Sequence, residues 1–118
     1  METHVSTDNH IVNDARLVEI VRDSAASSLA RFVDRVTRVD AHFADENGGK
    51  GGATDTRCAL EARLAGHQPV GVTHHASNVK DALTGALDKV AKVIAGITDR
   101  EKETRRGASA DPSLSGIL

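Results

Sequence analysis

The sequence predicts a two-layer α+β sandwich, a four-stranded sheet with two helices on one of its faces. Three observations predict it. Two segments carry apolar residues three and four apart, which gives each a single helical stripe. Four short segments alternate apolar with polar residues, as strands buried on one side do. These segments follow one another as β-α-β-β-β-α, and helices with one apolar stripe each need a sheet face to cover.

The first strand is read at His4 to Asp8 from the β-branched Val5 and Thr7, and Thr7-Asp8-Asn9-His10 reads as a turn. Asn13 or Asp14 supplies an N-cap oxygen to a helix that runs to about Asp34. Its stripe is Leu17, Ile20, Val21, Ser24, Ala25, Ser28, Leu29 and Phe32. Between Val36 and Ala44, the inward Val39, Ala41 and Phe43 alternate with Arg38, Asp40 and His42. A glycine-rich loop from Asp45 to Asp55 leads to a third strand, Arg57 to Leu64, with Cys58, Leu60, Ala62 and Leu64 inward. Ala65-Gly66-His67-Gln68 is a connection of hairpin length, and Pro69 to His74 is a fourth strand with Val70 and Val72 inward. Ser77 is expected to cap the second helix, whose stripe is Val79, Leu83, Ala86, Leu87, Val90, Ile94 and Ile97. Gly85 and Gly96 weaken that helix slightly. Past Asp99 the pattern stops, so one domain is expected over residues 1–98 and a disordered tail over 99–118. The uncovered sheet face carries Arg38, His42, Arg57, Arg63 and Thr73 and should be wet.

Composition bounds the function. A chain of 118 residues suits one domain with a modest core. Phe32 and Phe43 are its only aromatic residues apart from histidines, so Val, Leu, Ile and Ala must build that core. Fifteen basic residues against 17 acidic give a net charge of −2, unlike the strongly basic balance of a generic nucleic-acid binder. A single cysteine excludes an internal disulfide and a four-thiolate metal site. Neither a leader nor a run of roughly 20 apolar residues is present, so a cytoplasmic protein with no membrane partner is expected.

Chemical motifs are sparse. Gly48-Gly49-Lys50-Gly51-Gly52 lacks the Gly-Lys-Ser/Thr ending of a phosphate loop and joins two strands, so it reads as a hairpin loop with Lys50 at its tip. His74 and His75 are adjacent and point to opposite sheet faces, and His42 and Cys58 also fall on opposite faces. With no Cys-x-x-Cys or His-Glu-x-x-His present, no metal or other cofactor is expected. Cys58 reads as an inert core thiol, and no nucleophile motif appears. The protein is not expected to be an enzyme.

Several stretches together resemble the ribosome hibernation-promoting factor (ribosome-associated inhibitor) family. They are Thr7-Asp8-Asn9-His10-Ile11, the run Arg38-Val39-Asp40-Ala41-His42-Phe43-Ala44-Asp45-Glu46-Asn47-Gly48, then Lys50-Gly51-Gly52, Arg57-Cys58-Ala59-Leu60-Glu61-Ala62-Arg63-Leu64 and Pro69-Val70-Gly71-Val72-Thr73-His74. The similarity spans roughly Val5 to Ile97. It implies a β-α-β-β-β-α fold like that of double-stranded-RNA-binding domains. It also implies docking on ribosomal RNA in the decoding region of the small subunit, which blocks translation and protects idle ribosomes. A short-type member, without a second domain that pairs ribosomes, is expected.

Basic residues on the helices and strand ends are then the candidate RNA contacts: Arg22, Arg31, Arg35, Lys50, Arg57, Arg63, Lys80, Lys89 and Lys92. Four of them have a plainer reading. Lys89 and Lys92 also suit a solvated helix face, and Arg57 and Arg63 suit surface pairs with Asp40 and Glu61. From Asp14 to Arg35 the bases Arg16, Arg22, Arg31 and Arg35 balance the acids Asp14, Glu19, Asp23 and Asp34, 4 − 4 = 0. The second helix has Lys80, Lys89 and Lys92 against Asp81 and Asp88, 3 − 2 = +1. Near-neutral helices favour a rival reading, a diverged paralogue that binds a protein partner or weakly self-associates through a sheet edge. A histidine-based small-molecule or metal module is the third reading.

Overall fold

Alternation of small aliphatic residues builds a sheet in the order β1-β2-β3-β4. In this computed structural model the strands are β1 (Glu2–Thr7), β2 (Val36–Asp45), β3 (Thr56–Leu64) and β4 (Val70–Ala76). The helices are α1 (Ala15–Ser28) and α2 (Val79–Ala110), with a 3-10 turn at Ala30–Phe32. The structure describes residues 1–46 and 55–110, with side chains as far as residue 105. The glycine-rich segment with Lys50 and the last eight residues of the expected tail lie outside the described residues.

Strand β1 runs parallel to β2 through the α1 crossover, and β2, β3 and β4 are antiparallel neighbours. The register places Phe43 opposite Cys58 and Leu60 opposite Val72, so the inward residues form continuous rows across the sheet. Val39, Ala41, Phe43, Cys58, Leu60 and Ala62 meet Leu17, Val21 and Ala25 of α1 and Leu83, Leu87, Val90 and Ile94 of α2 in one core. The two-layer α+β sandwich with both helices on one face is therefore present.

Asp14 is the α1 cap, its Oδ1 accepting from the Leu17 N–H at 2.9 Å. Helix α1 stops at Ser28, short of the expected Asp34. The chain tightens there into the 3-10 turn, which buries Phe32 and redirects the backbone into β2. The cap of α2 is Asn78, not Ser77: its Oδ1 accepts from the Asp81 N–H at 2.8 Å. Gly66 at φ 74 makes the β3–β4 turn, a left-handed conformation that suits glycine.

The largest departure concerns the tail. Instead of ending near Asp99, α2 continues to Ala110. Arg, Glu and Lys are good helix formers, and Glu101 lies four residues beyond the buried Ile97, on the same stripe. The Arg35 guanidinium grips the Glu101 carboxylate with two hydrogen bonds, 2.6 and 2.8 Å, and ties the added turns to the start of β2. Among the described residues no helix is long and apolar enough to cross a membrane.

Candidate nucleic-acid interface

Strand pleating sends Arg38, Asp40 and His42 of β2, with Arg57, Glu61 and Arg63 of β3, to the face opposite the helices. Each arginine there has an acidic neighbour. Arg38 is forked onto Asp40 with N–O distances near 3.0 Å, Arg57 lies 3.5 Å from Glu46, and Arg63 lies 3.7 Å from Glu61. Hydrogen bonding to Asp40 raises the Arg38 pKa further above its usual value. Glu46 also faces His75 at 3.7 Å. Ser6 and His42 share a 2.7 Å hydrogen bond across β1 and β2. Beside this pair the sheet face holds a shallow depression of about 580 Å3, lined among others by His4, Asp40, Ala59, Glu61, Gly71 and Thr73. The expected cationic stripe of Arg57 and Arg63 is thus a mosaic of ion pairs, and the Arg57 partner is Glu46, not Asp40.

The helices carry the other candidates. Arg22 on α1, with Lys80 and Lys92 on α2, is exposed and enters no ion pair among the described residues. Arg31 lies over the Phe32 ring, 4.8 Å from its centroid. Lys80 and Lys89 do not share a face: nine residues at about 100° each put them on opposite flanks of α2. Lys80 borders a cleft of about 610 Å3 between the helix N-termini, with Arg16, Ile11, Val12, Ile20 and Val79. Lys89 reaches sideways, and its Nζ donates to the Thr73 carbonyl of β4 at 2.7 Å. On the other edge strand the Asn13 amide donates to the Val5 carbonyl at 3.3 Å. Each edge of the sheet therefore has a carbonyl occupied by a side chain, which obstructs addition of a further strand.

Arg35 sits apart from the other candidates. Its Nε donates to the Ala65 carbonyl at 2.6 Å while the fork holds Glu101, so it joins β2, the β3–β4 turn and the end of α2. The hydrogen-bonded carboxylate raises the Arg35 pKa, and Arg35 in turn holds the Glu101 carboxyl below its usual value. Two basic residues not among the sequence-based candidates, Arg100 and Arg105, lie beside this clamp and line a cleft with it. No apolar residue continues the stripe beyond Ile97, so the sequence carried no signal for them.

No group of three or more His, Cys, Asp or Glu able to hold an ion occurs among the described residues. Cys58 is fully buried on the core face, where desolvation pushes its thiol up to about 12.

No family model and no curated protein matches the sequence. Solved structures do match. The N-terminal domain of Thermus thermophilus protein Y superposes with a TM-score of 0.64 at 14% identity, covering 80% of this chain and 96% of that one. A ribosomal subunit interface protein from Coxiella burnetii gives 0.63 at 10% identity, covering 84% of this chain and 99% of that one. The mixed four-stranded sheet with both helices on one side is thus the fold that this chain shares with those two proteins.

Proposed function

We propose that the protein is a ribosome-binding, translation-inhibiting hibernation factor that docks on ribosomal RNA in the decoding region of the small subunit. The observation that carries this reading is the shared fold, which spans nearly the whole of protein Y's N-terminal domain and of a ribosomal subunit interface protein. Its working location is then the cytoplasm, and it acts by occupancy, without a cofactor or a catalytic step.

The charge layout indicates how docking works. Arginines on the open sheet face are already matched with carboxylates, so phosphates gain little there. Exposed Arg22, Arg31, Lys80 and Lys92 on the helical layer are better placed to displace counterions from an RNA backbone. Structured RNA is read through its shape, phosphates and 2′-hydroxyls, which a rigid sandwich with scattered cations can track. The rival reading, self-association through a sheet edge, is opposed by Lys89 on Thr73 and Asn13 on Val5.

Co-sedimentation with purified small ribosomal subunits at low and raised salt tests the reading. The protein should pellet at low salt and be released as salt rises, because dissolved cations compete with the protein for every phosphate it neutralises. Failure to pellet at any salt would reject ribosome docking and leave the fold in another use.

A further inference from the structure

The depression of about 580 Å3 on the open sheet face is lined by groups that do not suit a phosphate. Among the described residues its lining contains no lysine or arginine, and it contains the carboxylates of Asp40 and Glu61. Register aligns Ser6, His42, Ala59 and Thr73 in one row across the four strands, with Asp40, Glu61 and Gly71 in the next. Small residues keep the middle of these rows low. No atom comes within 4 Å of where a Gly71 Cβ would stand.

The two carboxylates differ. Asp40 is taken up by the Arg38 fork, with N–O distances near 3.0 Å. Glu61 lies 3.7 Å from the Arg63 Nε, beyond hydrogen-bond length, so its oxygens keep their acceptor capacity. A carboxylate accepts two parallel N–H donors best, the pattern a guanidinium offers. Guanine offers the same pattern on its Watson–Crick edge, through N1–H and the N2 amine. Adenine has an acceptor at N1, which a carboxylate repels. Imidazole provides a stacking surface for an unpaired base, and the 2.7 Å hydrogen bond to Ser6 fixes the direction of the His42 ring. Acceptors without cations therefore suit a base edge and leave phosphates to the helical layer.

We propose that this depression binds an unpaired guanine base of RNA, with Glu61 accepting from its N–H edge and His42 stacking on its ring. The proposal rests on the ribosome-docking reading for the source of the base. It adds the open sheet face to the contact surface.

The experiment measures affinity of the full chain, and of its Glu61→Gln and Gly71→Val variants, for short oligouridines. Each oligomer carries one central guanine, hypoxanthine or adenine. Circular dichroism and the urea midpoint check that each variant is folded. The parent should prefer guanine to adenine roughly tenfold, with hypoxanthine, which lacks the N2 amine, in between. The three oligomers have identical phosphates, so this preference, unlike the affinity itself, should hold as salt rises. Glu61→Gln should bring the ratio close to one, because an amide offers one acceptor where two N–H donors arrive. Gly71→Val fills the depression from an edge strand with open space around it, and should also abolish the preference. Equal binding of guanine and adenine, no binding of any oligomer, or a preference that survives either variant overturns the site. Co-sedimentation with small subunits separates this from the docking reading. A parent that pellets without a base preference loses the site and keeps the docking; one that prefers guanine without pelleting keeps the site and loses the docking.

Discussion

Gly85 offers a test of how α2 sits on the sheet. A glycine in the middle of an exposed helix normally costs about 0.8–1.0 kcal/mol relative to alanine, so Gly85→Ala should stabilise on propensity alone. The structure predicts the opposite. A methyl at position 85 would lie 2.6 Å from His74 Cγ, and closer still to Cδ2 and Nε2, so the imidazole must move. Because Cγ is the root of the ring, rotation of its far end alone does not clear the space. Overpacking of this kind costs about 1–3 kcal/mol. Set against the propensity gain, the net is about 0–2 kcal/mol of destabilisation, or roughly 4 °C in Tm per kcal/mol for a domain of this size. In a His74→Ala background the clash is gone and Gly85→Ala should stabilise by about 0.8 kcal/mol. Urea titrations of the four proteins therefore give a coupling of about 1–3 kcal/mol. If Gly85→Ala stabilises both backgrounds equally, the ring does not pack on Gly85 and the seat of α2 is wrong. The seat matters for function, since the same rotation carries Lys89 to Thr73 and points Lys92 outward.

Two further outcomes follow from the titratable groups. Asp8 accepts the Asp45 N–H at 2.8 Å and the His10 N–H at 2.9 Å, which hold its carboxyl below the usual 3.8. Its contribution is thus complete above that unfolded value and is lost as pH falls through the lower folded one. Asp8→Asn should flatten the fall of the urea midpoint below about pH 4, and an unchanged slope would refute the role. Cys58, with its thiol pushed up to about 12, should stay unmodified by a disulfide reagent at neutral pH until the protein unfolds. A rapid reaction in native buffer would show that the core opens at β3.

The fold was legible because each element carried a clean period. Val39, Ala41 and Phe43 against Cys58, Leu60 and Ala62 define one buried face, and a shift by one residue would expose all six. Ends were less legible. Asn78 replaces Ser77 as the cap because capping depends on where the first free amides point, and two adjacent cap-forming residues look alike in sequence. The extension of α2 was hidden for a different reason. Arg100 to Arg105 has no apolar residue to mark a stripe, and its anchor, Arg35, lies 66 residues away in the chain. Of the candidate cations, Arg22, Arg31, Lys80, Lys89 and Lys92 are exposed and Arg35 is held in a clamp, whereas the sheet-face arginines are matched with acids whose proximity depends on register and rotamer, which a sequence does not display.

That distribution of charge bears on how such a protein could hold RNA while carrying a net charge of −2. Overall charge governs steering at distances beyond a Debye length, about 8 Å at physiological salt, and here it opposes a phosphate-rich partner weakly. Contact affinity is set within that length by local groups. Matching Arg38, Arg57 and Arg63 to carboxylates on the sheet face removes them as competing sites of attraction. In the proposed reading the exposed Arg22, Arg31, Lys80 and Lys92 of the helical layer would then supply the local attraction. Binding arranged this way should be selective in orientation, modest in on-rate and sharply dependent on salt. A strongly basic protein of the same fold would bind RNA faster and in more orientations, so near-neutrality is compatible with docking on one defined site.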